Sequence, residues 1–387
     1  MREVLIVGSL TTTHIRRLIG KLGSTKMPDE NIYVMDTSFR VDYSNPEVDG
    51  IKSTYGLKSN LLFRVLSKIP KARVFAFYYL LIKQFKLVLS SRQYNMISFV
   101  GVSFLTSYLI RLAHEKGTKT HIAPMGSDVL RTSKYIEKSL KNAFNEVDYI
   151  SVGRRSDFGV GLINRFNIPS EKMIAAGFGS DVIDQIDVMR GGMSRLEMAS
   201  MLNLPDSSYY VSCGYNANIE QNHEEMLRAI ADNKDLLPKD YCVIVQLSYG
   251  IQKEELKLKL PKLAQELELN VYLITEFLST EQVAALRLIT DLFIHVQKTD
   301  ATNASILEYL LADTEVINGE WLKYRFIEQD GKPYHTCESL EQLSSCVRDV
   351  ISNQDRKILV TEKTKQAIRE FKSWHRKLKN WHKLFEL

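Results

Sequence analysis

The stretch TDATNASILEYLLADTEVI, residues 299–317, contains two carboxylates eight positions apart, Asp300 in a polar segment and Glu308 in an apolar one. The apolar run has helical spacing, and small polar residues precede it. The first turn of a helix has free backbone N–H groups and the positive end of the helix dipole, which stabilise a diphosphate. A carboxylate on the second turn can accept hydrogen bonds from both ribose hydroxyls. One interpretation is therefore a nucleotide site in which Glu308 binds the ribose.

An ordinary helix start is the alternative interpretation. The tetrapeptide SILE, residues 305–308, fits a capping box in which Glu308 only bonds the backbone amide of Ser305. Asp300 would then be a solvated loop residue. The position of the stretch, late in a second repeat of strands and helices, favours the nucleotide interpretation.

Strand-like and helical segments alternate along the chain, and the alternation that begins with EVLIVGSL (residues 3–10) restarts with SYYVSCGYNA (residues 208–217). Short links between alternating elements predict parallel strands covered by helices on both faces. A chain of 387 residues is long enough for two such domains. The sequence predicts an α/β protein with two doubly wound, Rossmann-like domains, residues 1–180 and 181–365, and a boundary within residues 178–205.

The tail of the chain, residues 366–387, is predicted to be an amphipathic C-terminal helix. Its large apolar residues recur three or four positions apart, as on one helix face: Ile368, Phe371, Trp374, Leu378, Trp381 and Phe385.

Composition indicates a cytoplasmic globular protein. Apolar residues make up 44% and charged residues 25% of the chain, which is typical of globular domains. The 4 cysteines form no CxxC pair and predict free thiols in a reducing compartment. The longest uncharged apolar run of the first half, VFAFYYLLI (residues 74–82), is shorter than the roughly 20 residues of a spanning helix. The N-terminus shows no signal-peptide pattern.

Residues 50–114 contain no acidic residue and many basic ones, interleaved with aromatic rings. Such a segment suits an anionic membrane surface, and it is also compatible with a pair of core helices that carry solvated lysines. Nucleic acid would attract the same cations, but no nucleic-acid motif accompanies them. We therefore expect a peripheral protein on the inner face of the membrane and no nucleic-acid partner. The basic residues are Lys52, Lys58, Arg64, Lys68, Lys71, Arg73, Lys83, Lys86, Arg92 and Arg111, and the aromatic ones include Phe63, Phe75, Phe77, Tyr78, Tyr79 and Phe85.

Three stretches resemble the GT-B glycosyltransferases, in particular family 4: residues 290–317, TEFLSTEQVAALRLITD (275–291) and IAAGFGSDVI (174–183). A narrower likeness, to the fucosamine-type transferase of enterobacterial common antigen synthesis, lies in residues 213–230 and 243–250. The resemblance implies a GT-B fold whose two domains face a cleft. It also implies hexosyl transfer from a nucleotide sugar to a glycan or lipid-linked acceptor in bacterial surface polysaccharide synthesis. Neither a cofactor nor a catalytic metal is expected.

The resemblance and the helix start together give the candidate donor-binding residues. Phe277 is expected to pack on the nucleobase and Asp300, where the family usually has Glu, to reach the donor sugar. The full set is Glu308, Asp300, Lys298, Thr302, Asn303, Ala304, Ser305, Phe277, Asn216 and Tyr249.

One departure from the family concerns the cations that hold the diphosphate. The family usually carries an Arg and a Lys on the first loop and helix of the second domain, but GYNANIEQNHEEM (residues 214–226) has neither. Asn216, Asn218, Asn222 and His223 can donate hydrogen bonds there without a fixed charge. Retention or inversion of the anomeric configuration therefore stays open.

The acceptor is expected at the first domain. Gly8 and Ser9 end the first strand, where ligands meet a parallel sheet, and His14 and Arg17 follow on the first helix. Gly126, Ser127 and Asp128 follow another strand. Asp128 or His14 is the candidate general base; the alternatives are a helix cap for Asp128 and a surface position for His14.

Two other functions are compatible with the same fold. A nucleotide-sugar 2-epimerase would need buried carboxylates and a histidine but no basic apolar patch. A catalytically silent GT-B protein that binds a partner enzyme would explain the missing basic pair.

Overall fold

Two all-parallel β-sheets organise the residues that the computed structural model describes, which are 1–38, 49–57, 68–153, 156–353 and 357–387. The sheets belong to two units of the chain. The first unit comprises Met1–Phe178 and Trp374–Leu387, and the second comprises Gly179–Ser373. The chain thus passes from one unit to the other at the start of the predicted boundary interval. Lys58, Phe63 and Arg64 of the basic segment lie outside the described residues.

The sheet of the first unit has the strand order β3-β2-β1-β4-β5-β6-β7. Its central strands are apolar and buried because helices cover both faces. The strands are β1 (Arg2–Gly8), β2 (Glu30–Asp36), β3 (Ser53–Tyr55), β4 (Met96–Val100), β5 (Lys119–Ala123), β6 (Tyr149–Ser151) and β7 (Met173–Ile174). The helices before the crossing are α1 (Thr13–Ser24), α2 (Pro70–Ser91), α3 (Thr106–His114), α4 (Ser127–Leu130), α5 (Lys134–Glu146) and α6 (Asp157–Phe166).

The sheet of the second unit has the strand order β10-β9-β8-β11-β12-β13. Its strands are β8 (Tyr210–Cys213), β9 (Cys242–Gln246), β10 (Val271–Ile274), β11 (Leu292–His295), β12 (Glu315–Gly319) and β13 (His335–Cys337). Its helices are α7 (Asp181–Met189), α8 (Arg195–Met201), α9 (His223–Ala231), α10 (Lys253–Glu266), α11 (Thr280–Ile289), α12 (Ala304–Leu311), α13 (Leu343–Ser352) and α14 (Glu362–Lys372).

Each sheet has one point where the direction of strand addition reverses. In the first sheet β1 lies between β2 and β4, and in the second β8 lies between β9 and β11. Loops that leave adjacent strands at such a point diverge and open a crevice beyond the carboxyl ends of the strands. The loops after β1 and β4, and after β8 and β11, are therefore the places to look for ligand sites.

The predicted C-terminal helix is two helices that belong to different units. Helix α14 ends at Lys372, Ser373 is non-helical with a ψ of 123°, and a last helix, α15 (Trp374–Phe385), follows. The apolar spacing continues across the break, which is why the sequence predicted one element. Helix α15 completes the first unit: Trp381 is fully buried and its indole N–H donates to the carbonyl of Gly177 at 3.0 Å.

Helix α2 has a length and composition that the sequence argument underestimated. Its segment Ala72–Ser91, with a mean hydropathy of 1.3, is long and apolar enough to cross a membrane, and no other described helix is. The argument counted only the uncharged run that ends before Lys83. A third of the segment is buried, and Leu81, Phe85 and Val88 pack in the core of the first unit. Helix α2 is thus anchored in a protein core along part of its length.

Candidate functional site

Two loops meet at the strand reversal of the second sheet, the loop after β8 and the loop after β11. The Tyr215 hydroxyl and the Gln221 side chain donate to Oε1 of Gln297 at 3.0 and 2.7 Å. The Asn222 side chain donates to the carbonyl of Val296 at 2.7 Å. Gly214 has a φ of 63°, and a Cβ there would lie 2.6 Å from His223. The loops therefore form one fixed framework in front of α12.

The start of α12 is capped by Asn303, whose side chain accepts from the backbone N–H of Ile306 at 3.2 Å. Ser305 lies inside the helix, so the capping-box interpretation of residues 305–308 was wrong. Asp300 is not a solvated residue either. It accepts from the backbone N–H and side chain of Asn303 at 3.1 and 2.8 Å and from the Tyr324 hydroxyl. Asp300 therefore shapes the helix start.

Thr302, directly before the cap, has a φ of 65°, in the left-handed region. A β-branched residue is strained there, and the surrounding structure has to impose the conformation. Asn303 is part of that surrounding structure, because its side-chain amide also lies 3.1 Å from Nε2 of the buried His295. The backbone turn before α12 is thus built with strain, as turns at ligand sites often are.

Glu308 lies on the second turn of α12 and is 4% exposed. One carboxylate oxygen accepts from the Ser180 hydroxyl at 2.8 Å. The other pairs with Nε of the buried Arg287 at 3.3 Å. The Arg287 guanidinium also stacks over the Tyr309 ring at 4.2 Å. Sequence reasoning missed Arg287 and Ser180; a single arginine in the apolar run VAALRLI (residues 283–289) was the available signal for the first.

The predicted aromatic residues lie together beyond the ends of β9 and β10. Tyr249 and Phe277 stack with ring centroids 5.9 Å apart and an angle of 6° between the planes. They are 40% and 67% exposed. Asn216, which is 5% exposed, is a hydrogen-bond partner of Tyr249. Two parallel exposed rings provide a flat surface for a base.

Lys298 belongs to this framework through its backbone N–H, which donates to the carbonyl of Glu220 at 2.9 Å, and not through its side chain. Its ammonium lies 3.9 Å from a carboxylate oxygen of Glu220, and its side chain is 73% exposed. An ion pair of that length at the surface contributes little.

The predicted acceptor residues lie on loops at the strand reversal of the first sheet. A Cβ on Gly8 would come within 3.3 Å of side-chain atoms of Ile15 and Val100, so a larger residue there would make these neighbours shift by a few tenths of an ångström. The Ser9 hydroxyl bonds Thr11 at 2.7 Å. Arg17 is partly exposed on α1, and the exposed His14 has its ring 6.1 Å from the ring of Phe178.

Asp128 connects two loops of this edge. It accepts from the backbone N–H of Val102, after β4, at 2.8 Å and from that of Met125, after β5, at 3.0 Å. The cap of α4 is Gly126, with a φ of 90°, and the next residue, Ser127, is exposed. The helix-cap interpretation of Asp128 was therefore wrong. Burial raises the pKa of Asp128, and the two backbone N–H groups oppose this shift.

No protein-family model and no curated protein matches the chain, but solved structures do. Sucrose-phosphate synthase from Thermosynechococcus elongatus has a TM-score of 0.75 at 11% identity, over 100% of this chain and 98% of its own. The HepE protein of Anabaena, in complex with UDP and glucose, has a TM-score of 0.68 at 11% identity, over 100% of both chains. A lipopolysaccharide outer core galactosyltransferase has a TM-score of 0.60 at 11% identity, over 99% of both chains.

These similarities extend over essentially the full length of both chains, and with the two parallel sheets they confirm the predicted α/β GT-B fold. The narrower likenesses, to family 4 and to the fucosamine-type transferase, stay predictions.

Replacement of Glu308 by Gln should destabilise the second unit, because it leaves the buried Arg287 without its counter-charge. Removing one partner of a buried ion pair costs about 3–5 kcal/mol, measurable as a fall in the free energy of unfolding in urea. Glu266→Gln, an exposed position on α10, should change it by less than about 0.5 kcal/mol. Replacing Arg287 by Met together with Glu308→Gln should recover part of the loss. Equal stability of Glu308→Gln and wild type would contradict the assigned pairing.

Proposed function

We propose that this chain is a glycosyltransferase that moves a hexosyl group from a nucleotide sugar to a glycan or lipid-linked acceptor in bacterial surface polysaccharide synthesis. The observation that carries the proposal is the start of α12, held at the strand reversal of the second sheet by Asp300 and followed by Glu308. Two neighbours in fold support the donor class, since one is a complex with UDP and glucose and another has UDP-2-fluoro glucose bound. The outer core galactosyltransferase supports the acceptor class.

In the proposed donor site the diphosphate binds at the first turn of α12. The free N–H groups of Ala304 and Ser305 and the helix dipole stabilise the charge that develops as the sugar departs. Each oxygen of Glu308 accepts one described hydrogen bond, and a carboxylate oxygen has lone pairs for a second. Glu308 can therefore bind the ribose diol while it stays paired with Arg287.

Asp128 is the proposed general base on the acceptor side. A carboxylate accepts a proton more readily when its pKa is raised toward the working pH, and burial acts in that direction here. His14 is the second candidate, on an exposed first turn of α1.

The donor class can be tested with a panel of UDP, GDP, ADP and dTDP sugars, by calorimetric binding and by hydrolysis. We expect one nucleobase to be preferred. Phe277→Ala should weaken that binding about 5–150-fold, since stacking on an aromatic ring contributes about 1–3 kcal/mol. Leu258→Ala, on the exposed side of α10 with 71% exposure, should leave it unchanged.

The other outcomes of the panel separate the competing functions. Formation of a C2 epimer without any acceptor would support the 2-epimerase. If the protein binds none of the nucleotide sugars in the panel, the result would favour a catalytically silent protein that binds a partner enzyme. Turnover that survives EDTA would support the expected independence from metal ions.

Asp128→Asn and His14→Ala test the acceptor-side base. Loss of a general base lowers turnover about 10²–10⁴-fold, and nucleotide affinity should stay unchanged because both residues lie in the first unit. The variant of the residue that is not the base should keep most of the turnover. Full turnover in both variants would exclude both residues.

Exposed aromatic side chains on the first unit support the proposal that the protein acts at a membrane. Phe75 and Tyr79 of α2 and Phe104 before α3 are 75%, 58% and 51% exposed. Phe104 has its ring 6.3 Å from that of Tyr78 on α2, and with Ile82, Tyr108 and Arg111 among others it lines a cavity of about 370 Å³. Exposed lysines on α2 accompany the rings. We propose that this patch docks on anionic lipid on the inner face of the membrane.

Co-sedimentation with vesicles that contain anionic lipid tests the docking. Each basic residue near such a surface contributes about 1 kcal/mol, so glutamate at Arg73, Lys83 and Lys86 should abolish most of the binding. Binding by the wild type should also weaken as salt rises, since exposed charges are screened within about 8 Å at physiological ionic strength.

The control for this experiment carries glutamate at Lys239, Lys257 and Lys262. These lysines are exposed on the second unit, and the variant has the same net charge as the test variant. If the two variants bind vesicles equally, net charge explains the binding and the patch has no role.

A further inference from the structure

The loop after β8 and the helix that follows it carry no Lys or Arg before Arg228, beside the proposed donor site. A nucleoside diphosphate brings more negative charge than a helix start, equivalent to about half an elementary charge, can neutralise. Residues 214–226 contain no Lys or Arg. Lys298 is exposed and paired with Glu220. Compensating charge for a diphosphate would therefore come from outside residues 214–226.

Lys372, the last residue of α14, lies at the helix start. Its ammonium donates to the carbonyl of Thr302 at 3.1 Å, one residue before the Asn303 cap. Burial lowers the pKa of Lys372, and the charges of Glu308 and Asp300 oppose the shift. An ammonium has three N–H donors, and the carbonyl of Thr302 uses one of them.

Arg287 brings a second positive charge to the same place. Its Nη2 lies 3.4 Å from the hydroxyl of Ser305, the second residue of α12. Its Nη1 is buried and has no hydrogen-bond partner among the residues that the structure describes. Leaving a buried charged donor unpaired is costly, and a negative charge near this helix start would offset part of that cost.

The position of Lys372 is fixed through Ser180. The backbone N–H of Ser180 donates to the carbonyl of Lys372 at 3.0 Å, and its hydroxyl donates to Glu308 at 2.8 Å. Lys372, Ser180 and Glu308 are thus held in one network with α12. A lysine placed only for solubility would not be attached to the helix in this way.

We propose that Lys372 binds the diphosphate of the nucleotide donor and takes the place of the basic pair that residues 214–226 lack. The inference rests on the proposed function and adds the residue that supplies the charge. The ligand class is a nucleoside diphosphate held by the N-terminus of α12 on one side and by the Lys372 ammonium on the other.

Comparison of a nucleoside diphosphate with its nucleoside isolates the diphosphate contact. UDP, GDP, ADP and dTDP are titrated into wild type, and the preferred one is then compared with uridine, guanosine, adenosine or thymidine. Lys372→Gln should weaken the diphosphate about tenfold or more, because a hydrogen bond to a charged group is lost. Nucleoside affinity should stay the same, and Lys372→Arg should keep most of the diphosphate affinity.

Lys365→Gln is the matched control, because Lys365 belongs to the same helix but pairs with Asp313 at 2.7 Å. It should lower the melting temperature without changing either affinity. An equal loss of diphosphate and nucleoside affinity in Lys372→Gln would assign Lys372 a structural role and overturn the inference. Unchanged diphosphate affinity in Lys372→Gln would also overturn the inference, but the proposed function would stand. A wild type that binds no nucleoside diphosphate would overturn both.

Discussion

Every strand in the described part of both sheets runs parallel to its neighbours, and this constraint determines where chemistry can occur. Parallel strands need a crossover connection, and helices supply it on both faces. The strands of each sheet then end at the same edge, and ligand sites form there at the strand reversal. In the second sheet the loops after β8 and β11 leave from this point and are hydrogen-bonded to each other, and the second loop leads into the start of α12. The polar residues of the candidate site are close in space because of the strand order, although they are distant in sequence.

The fold and the position of α12 could both be predicted from the sequence, because each leaves a local signal in it. Alternating apolar periods predicted the two sheets, and the small residues before an apolar run located α12. Ser180 left no such signal, since it lies 128 positions from Glu308. Arg287 is an unusual residue in its apolar run, but nothing local connects it with Glu308, 21 positions away. The capping box failed because Asn303, a strong helix cap, lies two residues before Ser305. The break at Ser373 could not be predicted, because the apolar residues keep their helical spacing from α14 into α15.

The Glu308 carboxylate and the Arg287 guanidinium are both buried, and each is the other's counter-charge. Desolvation of an isolated carboxylate is costly, and a buried pair recovers that cost only when further hydrogen bonds satisfy both groups. Glu308 has such a bond from Ser180, whereas Nη1 of Arg287 has none within the described part of the chain. The pair is therefore incompletely satisfied on its cationic side. A ligand that brings negative charge would complete it, which agrees with an anion site at this end of α12.

Lys372, the proposed diphosphate-binding residue, directly precedes the break between α14 and α15 at Ser373. Lys372 ends α14 because the chain must leave the second unit, and Trp374 begins the helix that completes the first unit. A lysine on the loop after β8 would be connected to α12 only through the loop after β11, to which the first loop is hydrogen-bonded. Lys372 is instead held by Ser180, which directly follows the first passage between the units. The charge at the helix start thus depends on both segments through which the chain enters and leaves the second unit. The same dependence explains why the spacing of residues 214–226 could not reveal where the charge comes from.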